Sequence, residues 1–146
     1  MSRTQVLDPA VGQAMSALSA AAKKGLGDPA LAELVMIRAS QLNHCAFCLD
    51  MHLRLARGNG ESEDRVQLLD AWEEAGDLYS ERERAALALT EAVTVLTDGV
   101  SDEVYARAGK HFTEVELAHL IGLITVINGW NRLMVSRRVQ PGGYQP

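Results

Sequence analysis

Apolar residues recur along most of the chain at intervals of three and four positions, which is the spacing of one face of an α-helix. The first such stretch begins at Asp8-Pro9, where aspartate suits the N-cap and proline the first helical position, and we expect it to stop at Gly25. A second Asp-Pro pair, Asp28-Pro29, opens the next stretch. No segment alternates apolar and polar residues over a useful length, so the pattern predicts an all-α fold.

Capping residues predict the later helices. Residues 80–83 and 113–116 both match the capping box, in which the N-cap hydroxyl and the third helical residue bond each other's backbone N–H groups. The second box opens the longest predicted helix, which runs to about Arg137 and is apolar on nearly every side over residues 117–134. Shorter helices are expected over residues 44–57, from Ser62 through Val66, Leu69 and Trp72, and from Ser101 through Gly109.

The chain length limits how these helices can be covered. A chain of 146 residues is enough for one domain and too short for two of ordinary size, so we assign residues 1–146 to a single domain with a loose tail at 141–146. A helix that is apolar on every side must be covered on every side, and a small domain has limited material for that. Part of the covering is therefore expected from another subunit, with a central core helix in a monomer as the alternative.

The charge and the apolar runs exclude several classes of protein. A net charge of −5 leaves no basic excess for binding nucleic acid. The most apolar stretch is residues 117–133, and its longest run without a strongly polar side chain, residues 120–127, is far shorter than the roughly 20 residues that a membrane-spanning helix needs. Residues 1–10 contain Arg3 but no apolar core of a signal peptide. We therefore expect a cytoplasmic protein without membrane or nucleic-acid partners.

The two cysteines, Cys45 and Cys48, form a C-x-x-C pair that closes too short a loop to staple a fold. On a helix they lie one turn apart, and His52 follows Cys48 by four residues on the same face. Asn43 is the predicted N-cap, which would place Cys45 in the first turn, where the free N–H groups stabilise a thiolate. An imidazole can take the thiol proton, so these residues indicate a dithiol redox centre.

Two other interpretations of the same residues stay open. Free cysteines are often buried and inert, and a buried histidine can simply satisfy a hydrogen bond. Two thiolates and an imidazole are also three zinc ligands, and His44 or Glu33 could supply a fourth. Structural zinc sites usually take ligand pairs from two separate segments, however, and the sequence contains no second such pair.

The spacing from Glu33 through Cys45 and Cys48 to His52 resembles the E-x11-C-x-x-C-x-x-x-H signature of the alkyl hydroperoxidase D family. This family belongs to the carboxymuconolactone decarboxylase-like superfamily. Residues 80–88 (SERERAALA) and 127–133 (INGWNRL) are also similar to later stretches of its members with a single core domain. The resemblance covers residues 28–134, which we take as the core of the domain.

The resemblance implies a thiol-dependent peroxidase that reduces hydrogen peroxide or organic hydroperoxides. The helix with Glu33 would pack beside the cysteine helix, and Glu33 and His52 would form a proton relay, partly through water. Cys48 would attack the peroxide and Cys45 would resolve the sulfenic acid, because Cys48 is one turn from His52; the helix dipole instead favours Cys45 as the thiolate. Further implications are an external dithiol reductant, either a lipoyl- or a thioredoxin-like protein, no cofactor, and a hexamer with a trimer as the alternative.

One position departs from the family pattern. Some members carry a relay histidine just before the second cysteine, whereas this chain has Phe47, and only His44 offers an imidazole beside the motif. A non-enzymatic redox sensor is therefore an alternative, and a cofactor-free lactone decarboxylase is another, although that chemistry needs no dithiol. His119, on the long apolar helix, is interpreted as a hydrogen-bonded core histidine, and Asp50 is left outside the site.

Overall fold

The computed structural model describes residues 2–144, and every regular element in this part of the chain is a helix. The predicted all-α fold is confirmed. Three short 3-10 segments, Leu69–Glu74, Gly76–Leu78 and Leu96–Asp98, link some of the helices. The seven α-helices are α1 Pro9–Leu26, α2 Pro29–Leu42, α3 Ala46–Gly58, α4 Glu63–Gln67, α5 Glu81–Thr94, α6 Asp102–Gly109 and α7 Glu114–Arg137.

Helix α1 begins as predicted but ends later. The Asp8 carboxylate accepts the first free N–H groups, and the helix stops at Gly27, whose φ of +66° is open to glycine at little cost. The expected stop at Gly25 is wrong, because Gly25 is needed inside the helix for close packing. A Cβ atom there would lie 1.9 Å from the ring of His119 on α7. His119 is half-buried against α1 and bonds the Val115 carbonyl oxygen, so it is neither a core residue nor part of the site.

Helix α7 is 24 residues long, and both predicted capping boxes, at Ser80 and Thr113, are formed. Helices α1, α2 and α5 of the same chain pack against α7. Its outward positions mix apolar Val115 and Val135 with polar Thr125 and Arg132. Its buried residues are Leu117, Leu120, Leu123, Ile124, Val126, Ile127 and Asn131. Much of the covering that a second subunit was expected to supply is therefore present within one chain.

The stretch after Ser62 differs from the single short helix that was predicted. Helix α4 lasts five residues, and the chain then continues in 3-10 turns with a non-helical residue at Ala71. The guanidinium of Arg84 donates to the carbonyl oxygens of Trp72, Glu73 and Gly76. A side chain from α5 thus satisfies backbone groups that a regular helix would have bonded internally.

Helix α2 is the central element that positions the site. It contacts α1, α3, α5 and α7, and every residue from Leu31 to Ser40 is buried. One face carries Leu31 and Val35 into the main core, and the other carries Leu34 and Ile37 into a second cluster under α3 and the 3-10 turns. None of the described helices is long and apolar enough to cross a lipid bilayer.

Candidate active site

The corner between α2 and α3 places the cysteine pair. Asn43 ends α2, and Cys45 itself is the N-cap of α3. The prediction that Asn43 caps the cysteine helix is wrong, because its side-chain NH₂ donates to the amide oxygens of Asn128 and Asn131 on α7, each at 2.9 Å. The helix begins later than expected, so Cys48, not Cys45, lies within the first turn.

Cys45 and Cys48 are joined in a disulfide with a Cα–Cα distance of 5.3 Å. The backbone N–H of Cys48 donates to Cys45 Sγ at 3.3 Å, so the Cys45 sulfur takes the place of an N-cap oxygen. Both residues are about 1 % exposed. Residues 2–144 contain no group of three or more His, Cys, Asp or Glu side chains arranged to hold a metal ion while the two cysteines are joined as a disulfide.

Glu33 of α2 and His52 of α3 are brought into direct contact. His52 Nδ1 lies 2.8 Å from Glu33 Oε2, and the two residues are only 3 % and 6 % exposed. A carboxylate at Nδ1 holds the proton there and leaves Nε2 as the basic nitrogen. Nε2 has no hydrogen-bond partner among the described residues and is not sealed off from solvent. The pair therefore has the arrangement of an oriented general base.

A cavity of about 340 Å³ opens beside His52 between α1, α2, α3 and α7. Lys23 of α1 lines it, and its ammonium group lies 3.7 Å from Glu33 Oε1. The remaining lining residues are Ser16, Ser19, Ala20, Met36, Met51 and Trp130. A mainly apolar space with a base at its wall suits a small organic substrate.

A second cavity of about 190 Å³ lies on the Cys45 side. It is formed by His44, Cys45 and Ala46 together with the end of α7 and the segment that follows it, residues 134–141. Cys45 does not line the His52 cavity, and His52 does not line the Cys45 cavity. Cys45 and His52 thus border two different cavities.

A buried polar network, which the sequence did not reveal as part of the site, supports the α2–α3 corner. Asn131 is fully buried and donates to Ser40 Oγ at 3.0 Å, while its oxygen accepts from Asn43. The Ser40 carbonyl oxygen in turn accepts the N–H of Cys45 at 3.0 Å. The available signal was an asparagine on an otherwise apolar helix, since a buried amide needs partners.

The neighbours of the motif fall outside the Glu33–His52 pair. Phe47 is half-buried and lines neither cavity, and His44 is exposed at the Cys45 cavity with a φ of +54°. Asp50 accepts hydrogen bonds from Arg54 and from the Gly142 N–H, and these, with Arg54 the larger cause, hold the pKa of its carboxyl below the usual range. Gly142, in the tail that was predicted to be loose, is thereby tied to α3; residues 145 and 146 lie outside the described residues.

Comparisons with known proteins agree with this geometry. The sequence profile of the carboxymuconolactone decarboxylase family matches residues 9–92. The uncharacterised protein YdfG of Bacillus subtilis is 46% identical over 105 residues, which are 71% of this chain and 71% of YdfG.

Two solved structures share the fold. A protein of unknown function from Agrobacterium tumefaciens, linked to the antioxidant defence protein AhpD, superposes with a TM-score of 0.91 at 31% identity, covering 99% of this chain and 100% of that one. The debrominase Bmp8 in complex with 2,3,4-tribromopyrrole has a TM-score of 0.81 at 17% identity, covering 93% of this chain and 73% of Bmp8. The chain therefore belongs to the carboxymuconolactone decarboxylase family and is an AhpD-like member of it.

Proposed function

We propose that this protein is a thiol-dependent peroxidase that reduces hydrogen peroxide or organic hydroperoxides through a Cys45/Cys48 dithiol–disulfide cycle. The observation that carries the proposal is the buried Glu33–His52 pair, at 2.8 Å, whose histidine follows Cys48 by one helical turn. A redox-active pair needs a base to generate its thiolate, and here an oriented base follows Cys48 on the same helix. The redox chemistry of the cysteines is supported by their short Cα–Cα distance, which allows the disulfide to close.

In the oxidative half of the cycle, the Cys48 thiol gives its proton to Nε2 of His52 while Glu33 holds Nδ1. The Cys48 thiolate attacks the terminal peroxide oxygen, the O–O bond breaks, and the alkoxide leaves as an alcohol with the proton from His52. Cys45 then gives up its thiol proton and attacks the sulfenic sulfur, whose oxygen leaves as water with that proton. One peroxide and two thiols thus become one alcohol, one water and one disulfide.

Cys48 remains our choice for the peroxidatic residue. It is one turn from His52, and the observed start of α3 places it in the first turn of the helix. The helix N-terminus also favours a thiolate at Cys45, whose sulfur accepts the Cys48 N–H. We assign that stabilisation to the resolving cysteine, which must be a thiolate to attack and a good leaving group when the disulfide is reduced.

The proposal also includes a reductant, a cellular compartment and an oligomeric state. A dithiol cycle needs an external dithiol reductant of the lipoyl or thioredoxin type and a reducing compartment, for which we propose the cytoplasm. We propose a hexameric assembly, with a trimer as the alternative. Val11 and Leu18, exposed on the outer face of α1, are candidate contacts for it, and sedimentation equilibrium of the purified protein would give its mass.

The test is oxidation of the reduced protein by hydrogen peroxide and by cumene hydroperoxide, followed by stopped-flow fluorescence and by mass spectrometry of the Cys45–Cys48 peptide. We expect rapid formation of the disulfide and steady turnover with dithiothreitol. Cys48→Ser should abolish both. Cys45→Ser should consume one equivalent of peroxide, accumulate a sulfenic acid at Cys48 and stop.

Three results would overturn the proposal. Undiminished turnover in Cys48→Ser would remove the dithiol from the mechanism. Slow oxidation by every peroxide, coupled to a change in oligomer mass, would indicate a redox sensor. Decarboxylation of a lactone acid by the Cys45→Ser/Cys48→Ser double variant would indicate a cofactor-free enzyme whose base is not used for thiol chemistry.

A further inference from the structure

The arginines of this acidic protein divide into two groups. Seven of the eleven form salt bridges with carboxylates: Arg38, Arg54, Arg57, Arg65, Arg82, Arg84 and Arg107. The other four, Arg3, Arg132, Arg137 and Arg138, form no salt bridge with any other described residue. They lie together, because Arg3 donates to the Ser136 carbonyl oxygen and the other three occupy the end of α7. We call these four the arginine rim.

Acidic side chains are absent from the two segments that carry the arginine rim, residues 1–7 and 117–146. No Asp or Glu follows Glu116 in the chain, and none precedes Asp8. The carboxylate of Asp50 is tied to the segment after α7, and its oxygens bond Arg54 and the Gly142 N–H. A cluster of unpaired cations on a chain of net charge −5 is therefore a local positive field on a negative molecule.

The arginine rim adjoins the Cys45 cavity. Arg138 lines the Cys45 cavity, and Arg3 and Arg132 line an adjoining depression of about 460 Å³ that shares Val135 with it. Positions 132 to 138 extend over about 9 Å at the helical rise of 1.5 Å per residue. Together with Arg3, these residues give the end of α7 a basic surface of at least that length.

The backbone at this cavity is also unusual. Residues 2–144 contain two non-glycine residues with positive φ, His44 and Arg138, each at +54°, and both line the Cys45 cavity. Strained residues persist where the surrounding structure holds them in place, and they cluster at functional sites. In contrast, the cavity beside His52 is lined by neither of them.

We infer that the arginine rim is the docking surface for an acidic protein that carries a dithiol and reduces the Cys45–Cys48 disulfide through Cys45. Substrate and reductant then reach the site from different sides, the peroxide at the His52 cavity and the reductant at the Cys45 cavity. The inference rests on the proposed function for the origin of the disulfide, but the reductive half-reaction can be measured alone.

The exchange is balanced in atoms and electrons. A carrier thiolate attacks Cys45 Sγ, the Cys45–Cys48 bond breaks, and Cys48 leaves as a thiolate that takes up, through solvent, the first of the two protons that the carrier thiols release. The second carrier thiolate attacks the carrier sulfur of the mixed disulfide and releases Cys45, whose departing charge is stabilised by the Cys48 N–H. The carrier is oxidised to a disulfide, both cysteines are reduced, and the two protons from the carrier thiols balance those taken up by the cysteines.

The experiment follows the reduction of the oxidised protein, without peroxide, by two probes: a reduced thioredoxin of net negative charge and the neutral dithiothreitol. The test variant is Arg3→Gln/Arg138→Gln, and the matched control is Lys24→Gln/Lys110→Gln, which removes the same charge elsewhere, again from exposed side chains that form no salt bridge with a described residue. At low ionic strength we expect the test variant to lose about tenfold in the rate with thioredoxin, and the control less than twofold. The rate with dithiothreitol should change less than twofold in both, and added salt should erase the difference between test and control.

Several results would overturn the inference. Equal losses in the test and control variants would mean that only net charge matters, and an equal loss with dithiothreitol would mean that the cavity itself was damaged. If the rate of reduction by glutathione fell in the test variant while the rate with thioredoxin did not, the surface would be assigned to a small anionic thiol. Binding of vesicles rich in anionic lipid that is lost in the test variant, with the thioredoxin rate unchanged, would assign it to a membrane. These reduction rates can be measured even if the protein does not turn over peroxide, so failure of the proposed function and failure of this inference can be distinguished.

Discussion

Helix α2 buries two charged side chains, Glu33 and Arg38, whose surroundings differ. Arg38 donates to Glu91 at 2.9 Å, to Gln41 at 3.0 Å and to Asp70 at 2.5 Å, and the indole N–H of Trp72 also donates to Glu91. The Arg38 guanidinium and the Glu91 carboxylate are thus held from several sides. Glu33, five residues earlier on the helix, orients a histidine whose second nitrogen has no partner among the described residues.

The difference separates structural from chemical use of a buried charge. Buried polar groups are normally hydrogen-bonded, and a cluster whose groups are satisfied by the protein stabilises one arrangement. A polar atom left free beside a cavity of about 340 Å³ is instead available to a ligand or a proton. We therefore expect mutation of Glu33 to lower the rate of oxidation by peroxide and mutation of Arg38 to lower the free energy of unfolding.

The largest effect is expected from Glu33→Gln. Glutamine keeps the shape and an oxygen near His52 Nδ1 but removes the charge that supports a proton transfer through Nε2, so peroxide should oxidise the reduced protein about a hundredfold more slowly. Stopped-flow measurement of disulfide formation gives the rate, and urea denaturation gives the free energy of unfolding, which should change little. A normal rate combined with a large loss of stability would place Glu33 with the structural charges.

The second prediction concerns the other charge. Arg38→Met keeps the apolar stem but leaves Glu91 and Asp70 without the guanidinium, so the free energy of unfolding should fall by about 2–3 kcal/mol. Urea denaturation measures the loss. Oxidation by peroxide per folded molecule should stay within twofold of the wild type, and a much slower oxidation would show that the two ends of α2 are coupled.

The elements and residues that the sequence predicted share a short-range signal. The Asp-Pro helix starts and both capping boxes are local patterns, and they were confirmed. Glu33 was predicted as a site residue through the family resemblance, whose signature sets its spacing to the cysteines. Its placement in contact with His52 follows from the packing of α2 on α3, so a family resemblance could indicate it, whereas the 3.6-residue period alone could not.

The features that were missed depend on distant partners. Arg38 looks like a surface charge until Asp70 and Glu91 are folded against it, 32 and 53 residues away in the chain. Asn43 and Cys45 are both plausible caps of α3, and the choice is settled by asparagines on α7, 85 and 88 residues later. Local sequence patterns do not contain information about contacts between residues so far apart in the chain.

A third, smaller effect extends the comparison to pH. Burial raises the pKa of Glu83. Hydrogen bonds from Arg65 and from the Ser80 N–H together lower it by more than burial raises it, so the net pKa lies below 4.5. A carboxyl whose pKa is lower in the folded state gives stability that is complete above pH 4.5 and is lost as the pH falls through the folded value. Urea denaturation at pH 7 and pH 3.5 should therefore show a smaller acid loss in Glu83→Gln than in the wild type. Equal losses would mean that other carboxyls set the acid limit.

The smallest effect is expected at His44, which lines the Cys45 cavity and has a strained, left-handed backbone conformation. An L-residue in the left-handed region costs about 1–2 kcal/mol, while glycine adds about 0.5–1 kcal/mol of unfolded-state entropy, so His44→Gly should raise the free energy of unfolding by up to about 1 kcal/mol. Gly60→Ala is the matched reverse change: its φ is +86° with no atom near the missing Cβ, and it should lower stability by a similar amount. A loss of stability in His44→Gly would show that the exposed imidazole makes contacts at the Cys45 cavity that outweigh the strain of its backbone.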